Sequence, residues 1–390
     1  MSKISILCAN LSSNALGRAY LLAQVLGRRY EVEILGPIFG EGIWPPCDTG
    51  EFNIKSVRGS HFPRFFLAMR ELLRQIEGDV VYAVKPRPAS FGVGLLAKRL
   101  RGMPLVLDID DWDIEGEYAL NRWRRLLGLV ARLHNPYASQ YLLLMERLIP
   151  QADAVTTVSS LLQQRFGGVY VPHGRDTDHL DPARYSGQAL RKAWGLDERK
   201  IVMFLGTPRP HKGLEELIVA LHLLDDLPLT LVIVGVDRNN PYTERLAALG
   251  GERVHMLGMQ PFVEIPRYLA AADLVALPQR DIPFARAQVP AKVFDAMAMA
   301  RPIVATAAGD LPQILDGCGL IVPPGDVQAL AEAIRHLALD APFAKGLGQR
   351  ARQRCIERYS WDVMEETLHQ LFQNVLNGRD WSVKIRCTLH

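Results

Sequence analysis

Along this chain, short apolar runs bounded by Gly, Pro, Asp or Asn alternate with longer segments whose apolar positions recur every three to four residues. The short runs fit strands buried on both faces, and the longer pattern fits amphipathic helices packed over them. In the first half the spacing predicts strands over 4–8, 31–35, 80–84, 105–109, 154–158 and 169–171. Helices are predicted between them over 17–28, 62–76, 90–100, 121–148 and 159–166. The alternation pauses in a Pro-, Asp- and Gly-bearing stretch and restarts with strands over 201–205, 229–234, 254–257, 274–277, 303–306 and 320–322. Its helices are predicted over 214–224, 241–249, 265–271, 290–300, 327–337 and 342–359, and a terminal helix over 361–376 stops at Asn377-Gly378.

Buried strands alternating with helices imply parallel sheets with right-handed crossovers. Two such series imply an α/β chain of two Rossmann-like domains, 1–175 and 199–360, joined by a linker over 176–198. A terminal helix over 361–378 and a tail over 379–390 follow. Ligands of such sheets bind at the carboxyl ends of the strands, so the expected site is a cleft where the two domains face each other.

Length agrees, since 390 residues exceed what one ordinary core holds. A formal charge of +3 gives no case for nucleic acid as a partner. Cys8, Cys47, Cys318, Cys355 and Cys387 are widely spaced with no CxxC pair, which argues against a disulfide framework or a zinc site and for a reducing cytoplasm. The first apolar run is too short for a signal peptide, and no uncharged stretch approaches the roughly 20 residues of a membrane helix.

Chemistry concentrates at predicted strand ends. One strand closes at Gly206, and Arg209 and Lys212-Gly213 follow just before an amphipathic helix, which sets two cations and a helix N-terminus together. That arrangement suits a diphosphate; a solvated basic turn is the plainer reading. Lys292 lies three residues before Asp295 on one helical face, a spacing that also fits an intrahelical salt bridge. Asp108, Asp110, Asp111 and Asp113 crowd the end of the 105–109 strand, with alternation placing Asp108 and Asp110 on one side. Three readings of these acids stand: a divalent-metal site, a group that contacts substrate or activates a hydroxyl, and helix caps before Glu115 and Glu117. Lys85 and Arg87 are placed to neutralise them or to hold an anionic acceptor.

An ordered series of segments resembles glycosyltransferase family 4, the retaining class with the two-Rossmann GT-B fold. It runs through Thr156-Thr157-Val158-Ser159, Val171-Pro172-His173-Gly174-Arg175-Asp176 and Phe204-Leu205-Gly206 with its basic turn. Val232-Ile233-Val234-Gly235, Pro290-Ala291-Lys292-Val293-Phe294-Asp295-Ala296-Met297, Arg301-Pro302-Ile303-Val304, Gly325-Asp326 and Tyr359-Ser360-Trp361 complete it. The resemblance implies a nucleotide-diphosphate sugar as donor substrate, a hydroxyl acceptor, no required metal and a C-terminal helix crossing back toward the N-terminal domain. It assigns the diphosphate to Gly206, Thr207, Arg209 and Lys212, with Thr207 standing where the family usually has arginine. It assigns the ribose hydroxyls to Asp295, the shorter form of the family's second acid. The family's first acid is replaced by Ala287, leaving the donor sugar to Gln288 or to backbone groups. Lys292, Gly309 and Asp310 join the donor set, Gly17 lies beside the diphosphate and acceptor, and Asp110 and Asp111 stand where relatives carry a catalytic His. His173 and Asp176 fall in the hinge, as cleft contacts or as turn residues.

Phe62, Phe65, Phe66, Met69, Leu72 and Leu73 share one predicted helix face beside Arg64, Arg70 and Arg74, and Arg122, Arg124 and Arg125 open the next long helix. Sheet packing explains these helices; peripheral contact with an anionic membrane at its inner face is the second reading. The expectation is a hexosyltransferase. A catalytically silent paralogue acting as a partner subunit and a sugar-nucleotide epimerase are its rivals, and Ala287 and Thr207 keep the first of them open. A dehydrogenase fits poorly, since no GxGxxG follows the first strand.

Overall fold

The computed structural model describes residues 2–112, 133–237 and 239–378. The chain forms two compact units, one built from residues up to His173 together with those from Met364 onward, the other from Gly174–Val363.

The first unit holds strands β1 (Lys3–Leu7), β2 (Glu31–Ile38), β3 (Ile54–Arg58), β4 (Val80–Val84), β5 (Leu105–Ile109), β6 (Ala154–Thr157) and β7 (Val169–Tyr170). All pair in parallel, in the order β3-β2-β1-β4-β5-β6-β7. Helices α1 (Ala15–Leu26), α2 (Phe65–Gln75), α3 (Val93–Arg101), α4 (Ser139–Leu148) and α5 (Ser160–Phe166) connect them. Strand β3 is not among the predicted strands, and only Val57 of Ile54–Arg58 is buried, so the segment carries no apolar run to mark it. As an edge strand it keeps Lys55 polar, paired to Glu33 at 2.8 Å and Glu77 at 2.7 Å.

The helix expected over 121–148 is described only from Ser139, with a turn before it. Asp113, Glu115, Glu117, Arg122, Arg124 and Arg125, and Cys387 with the tail, lie outside the described residues. In α2 the buried face is narrower than six apolar residues. Phe65, Ala68 and Leu72 are buried, Phe66 is 63% exposed, and Phe62 precedes the helix with its ring against Phe65, Phe66 and Tyr141.

The second unit begins with the stretch read as linker, which carries helix α6 (Gln188–Trp194). Gly187 before it lies so close to the Ala271 backbone that a Cβ would stand 2.2 Å away. Arg191 donates to the Ala271 carbonyl at 2.9 Å and to Asp273 at 2.8 Å. There follow β8 (Lys200–Leu205), α7 (Leu214–His222), β9 (Leu229–Val236), α8 (Pro241–Gly250), β10 (Val254–Gly258), α9 (Ile265–Ala271) and β11 (Leu274–Leu277). Next come α10 (Pro283–Ala287), α11 (Lys292–Ala298), β12 (Ile303–Thr306), α12 (Leu311–Ile314), β13 (Leu320–Val322), α13 (Val327–Leu339) and α14 (Ala341–Tyr359). The sheet is parallel in the order β10-β9-β8-β11-β12-β13. Alternate residues of β8 enter two cores: Ile201, Met203 and Leu205 join Phe294 and Met297 on one face, while Val202 and Phe204 join Leu217 and Ile334 on the other.

The last helix, α15 (Trp361–Leu376), starts in the second unit and continues in the first. In the first unit, the Phe372 ring meets Tyr82 at 5.2 Å, the Glu365 carboxylate pairs with Arg28 at 3.0 Å and with Arg29, and Tyr30 hydrogen-bonds His369 at 2.8 Å. In the second, the two chain passages run side by side: Arg175 donates to the Tyr359 carbonyl at 2.9 Å and Trp361 donates to that of Arg175 at 2.8 Å.

Candidate functional site

In the second unit the expected donor residues gather where β8 ends. Gly206 takes a left-handed φ of +104° and donates to the Val234 carbonyl at 2.7 Å, which turns the chain off the sheet. A short turn through Thr207, Pro208 and Arg209 leads to the 3-10 segment Pro210–Lys212. Gly213 at φ +67° admits no side chain, because a Cβ would stand 1.8 Å from the Pro278 carbonyl oxygen. This tight path folds Lys212 back, and its ammonium donates to the Thr207 carbonyl at 2.7 Å. Burial, with the Arg209 charge second, lowers Lys212 to about 8. Arg209 itself is exposed. The first turn of α7 carries Glu215 and Glu216, and Arg280 pairs with both, at 3.0 and 2.6 Å. Carboxylates of the protein therefore already complement that helix N-terminus.

Helix α11 brings Lys292 to the same strand end. Its ammonium lies 3.7 Å from the centroid of the Phe204 ring, and a Cβ on Gly206 would stand 3.2 Å from it. The intrahelical bridge to Asp295 is not formed. Arg175 claims that carboxylate with two guanidinium nitrogens, Nη2 standing 3.0 Å from Oδ2, and also donates to the Ala291 carbonyl at 3.2 Å. Burial, reinforced by Lys212, holds Lys292 well below the ordinary lysine range, against a smaller opposing pull from Asp295. Gln288 is half-buried beside the buried Ala287. Gly309, at φ +54°, packs against the Arg286 backbone, and Asp310 is buried next to it, so these residues form an adjoining loop of the sheet. Asp176 serves as a turn residue, accepting from the backbone of Asp178 and His179 at 3.1 and 2.9 Å.

In the first unit the acids divide. Asp108 is fully buried and held by Arg18 at 3.0 and 2.8 Å, by Thr156 at 2.7 Å and by Tyr82 at 3.3 Å. Arg18 also donates to the carbonyls of Pro172 and Val171 at 3.1 and 2.8 Å, so this pair braces the sheet. Asp110 and Asp111 lie past the strand end, where Lys85 meets them at 3.2 and 2.8 Å. Lys85 holds a left-handed φ of +69°, a strained conformation for a non-glycine residue. Burial pushes Asp110 up to about 7, with Lys85 opposing and Asp111 adding. A carboxyl near neutrality beside an ammonium can accept a proton from, or donate one to, a bound hydroxyl. Among the described residues no group of three or more His, Cys, Asp or Glu is arranged to hold a metal ion.

Gly17 makes room for the Trp44 ring, whose nearest atom would be 3.3 Å from a Cβ. The neighbouring loop satisfies itself: Asn10 accepts from both the backbone and the hydroxyl of Ser12, at 3.0 and 2.7 Å, and Ser12 accepts from Gly40. The structure thus brings together Gly206, Thr207, Lys212 and Lys292 in one cluster and Lys85, Asp110 and Asp111 in another. It leaves Arg209 outside the first and ties Asp295 to Arg175. Arg18 and Arg175 were not anticipated. The signal for Arg18 was a lone arginine in the apolar first turns of α1; for Arg175 there was none, its partner being 120 residues away.

The sequence matches two described domains in tandem, a glycosyl transferase 4-like domain over residues 18–176 and glycosyl transferases group 1 over residues 199–340. The GDP-mannose-dependent alpha-(1-6)-phosphatidylinositol monomannoside mannosyltransferase of Mycolicibacterium smegmatis is 31% identical over 254 residues, covering 60% of this chain and 65% of that protein. The match thus spans just under two thirds of that relative's own length. The alpha-D-kanosaminyltransferase of Streptomyces kanamyceticus is 25% identical over 288 residues, 72% of this chain and 73% of its own. Among solved structures, Anabaena HepE in complex with UDP and glucose superposes with a TM-score of 0.75 at 20% identity, over 96% of this chain and 99% of that one. Sucrose-phosphate synthase from Thermosynechococcus elongatus gives 0.74 at 18% identity, over 97% and 100%. Two parallel sheets in this order carry the GT-B fold, and with both halves matched in sequence the chain belongs to the group 1, family-4-like glycosyltransferases.

Proposed function

We propose that the protein transfers a hexosyl group from a nucleotide-diphosphate sugar to an acceptor hydroxyl with retention of configuration. The observation that carries this reading is Lys212, folded back onto the Thr207 carbonyl in the turn that leaves β8 at Gly206 and offering an ammonium where a leaving diphosphate gathers negative charge. Fixed cations at that point stabilise the departing nucleotide more than the bound donor, which is the condition for rate acceleration. On the first unit Asp110, near neutrality beside Lys85, takes the acceptor side, with Asp111 holding Lys85 in place. GDP-mannose is the first donor to try, because the mycobacterial relatives are named for it.

The test is calorimetric titration with UDP, GDP, ADP and TDP, followed by turnover of the matching sugar donor and NMR of the product's anomeric proton. Tight binding of one nucleotide, lost in Lys212→Ala, is the expected result. An inverted product refutes retention. Binding to none refutes the donor site and favours the silent paralogue, and turnover without an acceptor favours the epimerase. A peripheral membrane role gains support from Phe66 and Leu67, 63% and 68% exposed on α2 beside exposed Arg64 and Arg70. Cosedimentation with anionic but not neutral vesicles checks it, with Phe66→Ser as the losing variant.

A further inference from the structure

Lys292 carries a buried amine whose nitrogen is shielded from solvent and has no hydrogen-bond acceptor among the described residues. Its nearest compensation is the face of the Phe204 ring, 3.7 Å away. The carboxylate of its own helix, Asp295, is engaged by Arg175. The neighbouring charge on the turn is another cation, Lys212, whose ammonium donates to the Thr207 carbonyl. Charging a buried lysine that has no partner is unfavourable, so the free site favours the neutral amine and an anionic ligand supplies the partner that the protonated form lacks.

Position fixes the chemistry of that ligand. Lys292 lies over Gly206, and Gly235 on the adjoining strand is also left-handed, so close that a Cβ would stand 3.0 Å from the Gly206 carbonyl carbon. Bare backbone at two adjacent strand ends, floored by two lysines with no free carboxylate on either, suits two linked anionic groups. At the turn itself Thr207 contributes a carbonyl rather than a cation, and Arg209 is exposed.

We propose that Lys292 is the second cation of the diphosphate site, supplying from helix α11 the charge that Thr207 does not. The inference rests on the donor reading above and adds the residue that completes it. A nucleoside diphosphate brings an anionic oxygen to each lysine, so Lys292 is drawn into its protonated form on binding. Lys212 opposes that protonation and Asp295, shared with Arg175, favours it weakly. Binding therefore takes up a proton from solvent.

The experiment titrates the full-length protein with the preferred nucleoside diphosphate, with the nucleoside alone and with inorganic pyrophosphate. Runs at pH 7.5 in buffers of different ionisation enthalpy read the proton count. Lys292→Met is expected to lower diphosphate affinity roughly 10- to 100-fold, the worth of one charge-assisted hydrogen bond, and to abolish most of the proton uptake. Nucleoside affinity should not change, and pyrophosphate should lose as much as the nucleotide. The variant replaces a buried amine without a hydrogen-bond partner among the described residues by an apolar chain of similar length, so its melting temperature should not fall below that of the parent protein. Thr207→Arg in the Lys292→Met background should restore most of the affinity without restoring proton uptake, because arginine stays charged. If the parent protein binds the diphosphate and Lys292→Met binds it equally well with the same proton uptake, the inference is wrong while the donor site stands. If the parent protein binds no nucleotide at all, both fall.

Discussion

At the scale of single residues, the turn after β8 makes a pH-dependent claim. Lys212 titrates near 8 because it is buried beside Arg209. The diphosphate binds the ammonium, so above pH 8 the lysine must gain a proton before it can bind. Nucleotide affinity should then fall about tenfold more steeply per pH unit than it does below 8. Lys212→Arg should remove that break, and affinity measured from pH 7 to 9.5 checks it. Asp110 makes a second claim, on stability rather than on affinity. Its folded carboxyl is raised from 3.8 to about 7, so its protonated form favours the fold and that contribution is lost as pH rises through 7. Asp110→Asn should therefore gain stability relative to the parent protein between about pH 4 and 7, by thermal melts at both ends, while transfer activity falls. Lysine 212 was legible in the sequence because its turn announces itself through local glycines. The partners of Asp295 and Asp108 were not, since Arg175 and Arg18 reach them from distant parts of the chain.

At the scale of elements, α1 is fastened to β5 by charge as well as by apolar packing. Arg18 and Asp108 are 3% and 0% exposed, and the guanidinium also ties the residues that follow β7. Removing one partner strands the other in the core, so Asp108→Leu or Arg18→Met alone should cost about 3–5 kcal/mol. The double variant should recover most of that loss, and urea denaturation of the two singles and the double checks the coupling. Wherever an element is a run of apolar residues, its place could be read directly: 80–84, 105–109, 274–277 and 303–306 match their strands to the residue. Elements held by polar or backbone contacts escaped. Strand β3 buries one side chain, and α6 docks through Gly187 against bare Ala271 backbone and through Arg191, with no buried side chain of its own.

At the scale of the whole molecule, the chain passes from one unit to the other and back, at His173–Gly174 and at Val363–Met364. The return segment is part of the first unit's core, not an appendage. Leu368 and Phe372 are fully buried, and Phe372 rests on Tyr82 of β4, whose hydroxyl in turn meets Asp108 and Thr156. The sequence showed that a helix stands there, through its 3.6-residue period. Periodicity cannot say which sheet an apolar stripe will cover. Phe372→Ala opens a cavity among Tyr82 and Tyr30 and should cost the first unit about 3–5 kcal/mol. The second unit, Gly174–Val363, contains none of these contacts, so its stability should be untouched. Scanning calorimetry of the full chain then separates the outcomes, because a shift in one transition alone gives the variant a split or broadened melt. Stopping the chain after Val363 should exaggerate the same split. An undivided melt displaced as a whole would mean that the two units unfold as one, and an unchanged melt would mean that the helix contributes nothing to the sheet it covers.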